Sequence, residues 1–390
     1  MRDNIIAYNI AELEKKGVTD EAKMLYKSGV IDENQWTSIK EQFQSNLYTP
    51  SIFIRILLFL GAILGMLTSL GPIAFSFHIS DEGGLRALAV IMGVAILIFT
   101  ELVVIKNLKH FRSGVTEAGI YSSIILIVTG LVLENESSTL ILAISLAFAL
   151  FATIRYLDLL ALVASVILFA WLIVDILMSL GGLIPTLLPI IMLSVFMAVY
   201  HYAISLEKRL SNIIFTDQFI ILKSLSLLIC YLSVNYFVVR ELSVMLLDLE
   251  ITEGGDIPLA FIFYGLTALL PLAYIAWGVK NRSILFIRVG LFILTLTVFT
   301  FKIYFSVMPP VIAITIAGTI LTTISLLLLN YLKTPKKGFT RDRLLTDKWS
   351  NSNLHSFVIS QSIGGNASTP QGDVQMGGGK FGGAGAGENW

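Results

Sequence analysis

Five charged side chains lie inside long apolar stretches of the sequence and are the first candidates for chemistry: Glu101, Asp175, Lys223, Arg288 and Lys302. Inside a bilayer an ionisable side chain costs about 2.5–3.5 kcal/mol on insertion scales, so each needs a partner, water or the membrane surface. Matching their depths pairs Glu101 with Lys223 or Arg288, and Asp175 with Lys302. Three interpretations stay open: buried ion pairs that fix helix register, a polar path for an ion or small solute, or side chains that snorkel to the membrane interface.

Spacing extends two of these residues into polar stripes. Arg288, Thr295 and Lys302 are seven residues apart, which places them on one face of a helix. A second stripe contains Lys223, Ser226, Cys230 and Ser233. Because polar stripes turn toward protein or water rather than lipid, we expect both to face the inside of a helix bundle.

The sequence contains little that points to catalysis or metal binding. Cys230 is the single cysteine and the four histidines are scattered, which argues against thiol and histidine metal sites. A phosphate-binding glycine loop, a paired-histidine zinc helix and a nucleophile elbow are all missing. We therefore predict no catalytic residue, cofactor or metal. The balance of 27 basic and 27 acidic residues also excludes strong nucleic-acid binding.

Composition identifies the elements that must position these residues. Of the 390 residues, 55% are hydrophobic and only 14% are charged, whereas soluble domains carry roughly 25% charged residues. This composition predicts an all-α, polytopic membrane helix bundle, with the lipid bilayer as its first partner. A span needs about 20 mostly apolar residues. We predict ten spans, at 52–77, 87–105, 117–133, 138–154, 157–178, 183–205, 216–239, 258–278, 284–306 and 309–332, within a transmembrane domain at 50–333.

Lysine and arginine are unevenly distributed between the loops. Under a ten-span count, one set of loops holds nearly all of them and the other set is acidic. The basic set contains Lys106, Lys109, Arg112, Arg155, Lys208, Arg209, Lys280 and Arg282. Because basic loops stay in the cytoplasm, we predict that both termini are cytoplasmic.

Residues 1–49 precede the first span and have a polar, helix-like pattern. Successive caps at Asp3, at Thr19 or Asp20, and at Asp32 predict three short helices, the second ending at Gly29. Gln35, three residues after Asp32, completes a capping-box pattern. We predict a small cytosolic helical module packed on itself or on the membrane surface, with docking or self-association as the alternative.

Residues 334–390 are predicted to form a flexible cytosolic tail. They are polar, they become glycine-rich from Gly377, and they bury too little apolar surface to fold alone. The tail nevertheless ends on Trp390, with Phe381 as a second apolar anchor. Two interpretations stay open: a plain disordered tail, or a tethered peptide whose terminal tryptophan and carboxylate enter a partner's groove.

Small residues recur on two of the predicted spans. One set is Gly61, Gly65 and Ser69, and the other is Thr315, Gly318 and Thr322. Small residues spaced in this way let helix backbones approach closely. We expect them to pack helices within the chain, with a homo-oligomer as the alternative.

Two stretches carry a resemblance to a known group of proteins. MLYKSGVIDENQW at 24–36, followed by RILLFLGA at 55–62, resembles the opening of bacterial multi-span proteins grouped as domain of unknown function 2157. The stretch from Arg288 through Lys302 to Tyr304 is similar to a late span of related membrane proteins. The resemblance implies a bacterial membrane protein and brings no catalytic residue with it.

These features predict a non-enzymatic protein of the bacterial inner membrane that recruits or assembles partners through its cytosolic ends. The alternative is a transporter or channel for an ion or small solute. Its support is the polar stripes together with Pro189 and Pro271, which should kink the sixth and eighth spans. A solute-accessible cavity lined by the five charged residues would favour the alternative.

Overall fold

The described part of the chain is mostly helical. A computed structural model describes residues 5–304 and a few scattered positions between 315 and 331. Within 5–304 there are short gaps at 77, 79–80, 133–136, 183–184, 211–212, 248–255 and 258. Every regular element in these residues is a helix, and one isolated bridge joins Tyr48 and His110. The predicted tail at 334–390, with Phe381 and Trp390, lies outside the described residues.

Two helices form the N-terminal module: α1 (Ile10–Lys27) and α2 (Glu33–Gln42). Asn9 begins α1 by accepting hydrogen bonds from the backbone N–H groups of its first turn. The capping box predicted at Asp32 and Gln35 is present at the start of α2 and is confirmed.

The predicted helix start at Thr19 or Asp20 is wrong, because α1 runs through both residues without a break. The Thr19 hydroxyl does not cap a helix. It donates to the carbonyl oxygens of Lys15 and Phe43, each at 2.9 Å, and so ties α1 to the chain that follows α2.

Ten further helices build the bundle: α3 (Ile52–Ser76), α4 (Glu82–Phe99), α5 (Val115–Leu131), α6 (Ser138–Tyr156), α7 (Leu159–Leu180), α8 (Leu188–Leu210), α9 (Thr216–Leu232), α10 (Tyr236–Leu247), α11 (Ala260–Lys280) and α12 (Ile284–Tyr304). A π-helix, Thr100–Asn107, extends α4, and single 3-10 turns at Pro185–Leu187 and Ile213–Phe215 precede α8 and α9. Among the described residues, seven helices are long and apolar enough to cross a membrane, as expected of an integral membrane protein.

Three of the ten predicted spans are not among these seven helices. The span predicted at 117–133 corresponds to α5, which has only 17 residues. The span at 309–332 lies largely outside the described residues. The span at 216–239 is divided into α9 and α10, which are bent by 69° at a short break.

Buried side chains explain how the break near residue 235 is tolerated. Asn235 lies in the break and is 2% exposed. Its side-chain amide donates to the Tyr231 hydroxyl at 2.7 Å and to Thr300 Oγ1 at 3.1 Å. The freed backbone N–H of Tyr236 donates to Thr267 Oγ1 at 2.8 Å. Non-helical backbone at membrane depth needs such partners, because hydrocarbon offers none.

Glycine contacts hold α4 against α5. A β-carbon added to Gly93 would lie 2.8 Å from the Ser123 carbonyl oxygen, and one added to Gly130 would lie 2.6 Å from the Arg86 carbonyl oxygen. On the other side of the bundle, Gly278 and Gly290 form a similar close crossing between α11 and α12. The short α5 is therefore fixed by backbone-to-backbone proximity.

The predicted small-residue stripes are not at these crossings. β-Carbons added to Gly61, Gly65 and Gly318 would meet nothing within 4 Å. At Gly61 and Gly65 the expectation of internal packing is therefore wrong for the described residues. The stripe of Thr315, Gly318 and Thr322 lies where only scattered positions are described, so its packing stays a prediction. Spacing of four identifies a smooth helix face, but it does not determine which neighbour reaches that face.

Replacing Gly93 with alanine should destabilise the bundle, because the new methyl group meets the backbone of α5. We expect a loss of about 1–3 kcal/mol in the free energy of unfolding. Gly65→Ala is the matched control on an open helix face and should leave stability unchanged or slightly raised. Unfolding in detergent by a denaturant series measures both, and equal effects would contradict the α4–α5 crossing.

Candidate functional site

The N-terminal segment before α1 is buried in one end of the bundle, which we call the module end. Ile6, Ala7 and Tyr8 are each less than a tenth exposed. The Ala7 N–H donates to the Arg155 carbonyl oxygen at 2.9 Å, and the Tyr8 ring meets the Phe111 ring edge-on with centroids 5.0 Å apart. These residues form one apolar cluster with the ends of α5, α6 and the π-helix.

Arg155 at the end of α6 joins this segment to the bundle. Its Nη1 donates to the Ile5 carbonyl oxygen at 3.1 Å, and its Nε donates to Glu101 Oε2 at 3.0 Å. A further hydrogen bond from Nη2 to Glu101 Oε1 makes the ion pair bidentate. Tyr156 donates to the same carboxylate at 3.2 Å. Charge-assisted, bidentate pairs of this kind are among the strongest polar contacts in proteins.

The π-helix brings a second cation to Glu101. Lys106 Nζ lies 3.4 Å from Glu101 Oε1, although the two residues are five apart. In an α-helix residues five apart point in different directions, whereas π-helical bonding joins residue i to i+5 and stacks them. The wide turn at Thr100–Asn107 therefore lets Glu101 bind Lys106 and Arg155 together.

The predicted partners of Glu101 are consequently wrong. Glu101 binds Arg155 and Lys106, and Lys223 instead donates to both oxygens of Glu207, at 2.7 and 2.9 Å. Matching by depth pairs only residues inside the predicted spans, whereas Arg155 lies in a predicted loop. The arginine side chain is long enough to reach back from the helix end into the bundle.

The predicted pair of Asp175 with Lys302 is also wrong. Asp175 accepts hydrogen bonds from Ser138, at 2.6 Å, and from Thr139. Lys302 lies on an exposed face of α12 that also carries Arg288 and Thr295. The opposite face of α12 is buried and carries Thr297 and Thr300. Spacing of seven identified a common face correctly, but the direction that we predicted for it was reversed.

Sequence reasoning missed the polar network behind that buried face. The Tyr231 hydroxyl and Thr297 Oγ1 are 2.8 Å apart, and Thr297 Oγ1 lies 3.1 Å from the Thr267 carbonyl oxygen. Together with Asn235 and Thr300 these residues link α9, α11 and α12. The sequence contains one signal for this network, Thr297 and Thr300, which are three residues apart. Because a hydroxyl costs less to place in a span than a charge, these two residues do not stand out beside the charged side chains.

Two cavities can be compared with the transporter alternative. A polar cleft of about 490 Å³ lies between α1 and the bundle at the module end. An apolar cavity of about 400 Å³ lies near the break between α9 and α10, with α7, α8 and α11 as its other walls. None of Glu101, Asp175, Lys223, Arg288 or Lys302 lines either cavity.

Asp158 holds the turn between α6 and α7 at the module end. Its Oδ1 accepts a hydrogen bond from the Ala161 N–H at 2.6 Å and from the Tyr121 hydroxyl at 2.8 Å. The residue is only 8% exposed. Burial raises the pKa of this carboxyl, and the two hydrogen bonds, which favour the charged form, offset the rise only in part.

No group of three or more histidine, cysteine, aspartate or glutamate side chains suitable for a metal ion occurs within the part of the chain that the structure describes. Comparisons with protein-family models, with curated proteins and with solved structures each gave no match to the chain. Functional inference therefore depends on the contacts at the module end.

Arg155→Lys should loosen the N-terminal segment, because lysine keeps the charge but cannot bind the Glu101 carboxylate and the Ile5 carbonyl oxygen together. A hydrogen bond to a charged group contributes about 1.5–3 kcal/mol. We expect hydrogen exchange over residues 5–13 to rise about tenfold or more. Arg86→Lys, whose partner Glu82 is on the same helix, is the control. Unchanged exchange in Arg155→Lys would contradict the anchoring role.

Asp158 should make stability depend on pH. Because its folded-state pKa is raised, its contribution is complete below the ordinary carboxyl range and is lost as the pH rises through the raised value. Asp158→Asn retains the acceptor for Ala161 and Tyr121, so its thermal midpoint in detergent should exceed that of wild type as the pH rises. Asp158→Ala removes the helix cap and should cost about 0.5–2 kcal/mol throughout. Parallel curves for Asp158→Asn and wild type would refute the assignment.

Proposed function

We propose that the chain is a non-enzymatic integral protein of the bacterial inner membrane that recruits or assembles partners through its cytosolic ends. The N-terminal module is one docking element, and the tail with Phe381 and Trp390 is the other. Both termini lie in the cytosol in this proposal. A long apolar helix bundle anchors the two elements at the membrane surface.

The observation that carries the proposal is the difference in burial between the two helices of the module. Leu13 and Ala22 of α1 are buried, and the segment before α1 is buried at the module end. By contrast, α2 has no buried residue. The module is thus fixed to the bundle through α1 and presents α2 outward, as expected of a platform for another protein.

An aromatic pair is the best candidate for a contact point on this outward face. Tyr26 and Trp36 are stacked, with ring centroids 6.3 Å apart and planes inclined by 10°. Tyr26 is 37% exposed and Val30, in the turn between them, is 49% exposed. Tyrosine and tryptophan are enriched among the residues that dominate binding energy at protein interfaces.

The contacts of the module support the proposed orientation. Tyr48 donates its N–H to the Lys109 carbonyl oxygen, and Arg155 binds the segment before α1. The module therefore packs against the loop that carries Lys109 and against the end of α6 at Arg155. Loops of this kind remain on the cytoplasmic side, which favours a cytosolic module.

The two cavities described above do not support the transporter alternative. Neither cavity is lined by the five charged residues, and Glu101, Asp175 and Lys223 each have a partner in the protein. Pro189 is the second residue of α8, where its missing N–H breaks no hydrogen bond and requires no kink.

We also retain the relationship to the domain of unknown function 2157 group as a proposal. The stretch at 24–36 that carries the resemblance covers the end of α1, the turn at Gly29 and the start of α2. Gly29 has φ of +71°, a conformation that favours glycine. The resembling residues are therefore those that build the outward hairpin.

Co-purification tests the proposal. Tagged wild type, Trp36→Ala, a variant lacking 377–390, and the control Gln42→Ala at the end of α2 are purified from the same membranes and compared by quantitative mass spectrometry. Loss of a central tryptophan at an interface costs about 2 kcal/mol or more, which is over tenfold in affinity. We expect a defined protein to be retained by wild type and Gln42→Ala and depleted in at least one of the other two. Equal recovery in all four would rule out recruitment through these ends.

A further inference from the structure

The polar cleft at the module end has the composition of an anion site, and we call it the basic cleft. One face of α1 forms one wall, and the start of α3 with the loops before α5, α7 and α9 forms the other. Its charged lining residues are Lys16, Lys23, Arg55, Arg112, Asp20 and Asp217. Cations thus outnumber carboxylates in a cleft of about 490 Å³.

The ion pairs in the basic cleft differ in how firmly they hold their cations. Arg55 is held firmly by Glu117 on α5 at 2.8 Å, so its charge is compensated from behind the wall. Lys16 pairs with Asp20 on the same helix at 3.1 Å. Both of these residues lie toward solvent, where such a pair contributes little.

Two cations, Arg112 and Lys23, are held less firmly by carboxylates and can therefore bind a ligand. Arg112 is 3.5 Å from Asp217, a long separation for a charged pair. Lys23 pairs with no carboxylate among the residues from 5 to 304 that the structure describes. The two cations belong to opposite walls, so an anion between them would be bound by α1 and by the bundle at once.

The residues immediately before α3 contribute to the same cleft. Thr49, Pro50 and Ser51 line it immediately before α3 begins at Ile52. The N–H groups of a first helical turn are unpaired and carry partial positive charge. Because α3 is of membrane length and begins at Ile52, a membrane that α3 crosses would present its phosphates near this cleft.

We propose that the basic cleft binds a phosphate-bearing anion, which joins α1 to the bundle through Lys23 and Arg112. The anion competes with Asp217 for Arg112 and with Asp20 for Lys16. Its chemistry is that of a phosphate group with at least one full negative charge. The group is carried either by a soluble molecule or by an anionic phospholipid at the membrane surface, and the experiment below distinguishes these sources.

Opposite charge changes on the same helix give the sharpest test. Lys23→Gln removes a cation from the basic cleft, and Asp20→Asn removes a competing carboxylate. Lys40→Gln on α2 is the control of matched charge outside the cleft. All three residues are exposed on the module, so none of the changes disturbs the core.

Binding is measured on the full chain in two arms. In the first, inorganic phosphate is titrated in neutral detergent against chloride at equal ionic strength, and the thermal midpoint is recorded. In the second, the protein is placed in nanodiscs of phosphatidylcholine with or without phosphatidylglycerol, and hydrogen exchange over α1 is recorded. A soluble ligand predicts saturable stabilisation in the first arm, and a lipid headgroup predicts protection of α1 only with phosphatidylglycerol.

In whichever arm responds, we expect Lys23→Gln to weaken the response about threefold to tenfold and Asp20→Asn to strengthen it, with Lys40→Gln equal to wild type. The opposite signs separate binding from a structural effect, which would move both variants the same way. No response in either arm overturns the proposal, as does a response that Lys40→Gln alters as much as Lys23→Gln. Partner recruitment through Trp36 is a separate measurement and is unaffected by either result.

Discussion

Hydrocarbon offers no hydrogen bonds, and this constraint explains most of the structure. Every described regular element is helical, since a helix satisfies its own backbone groups. Where the helical pattern fails, between α9 and α10, Asn235 and Thr267 supply the missing partners. Two of the charges in the apolar helices have a partner of opposite sign, since Glu101 pairs with Arg155 and Lys223 with Glu207. The protein therefore places its polar chemistry at helix ends and at one break.

The module end combines these solutions with the short polar helices of the N-terminal module. Arg155 uses its guanidinium for Glu101 and Ile5, and its own carbonyl oxygen for Ala7. A single residue of a membrane-length helix thus holds the segment before α1 through side chain and backbone together. Because Tyr8 and Phe111 then seal the contact with apolar surface, the module forms a continuous apolar cluster with the bundle. An anchored module keeps the orientation of α2 fixed, which favours recruitment over simple tethering.

Local signals in the sequence predicted local features well. The apolar runs predicted the membrane-length helices, and the spacing of Asp32 and Gln35 predicted a cap that is present. Both depend on residues close in the chain. The partners of Glu101 and Asp175 could not be predicted, because depth along a helix leaves its rotation and its neighbours undetermined. Thr297 and Asn235 were overlooked for a related reason, since their cost depends on burial that only the assembled bundle reveals.

The π-helix has a consequence for insertions and deletions in this stretch of the chain. Its eight residues, Thr100–Asn107, hold one wide turn open between α4 and the loop that carries Phe111. Deleting one residue between Glu101 and Lys106 would let this stretch relax into an ordinary α-helix, in which residues four apart lie on the same face. The lysine would still reach Glu101, but the loop would be drawn back toward α4 by the residue removed. The length of this stretch therefore determines where the loop lies, while the pairing of Glu101 with Lys106 is compatible with either length.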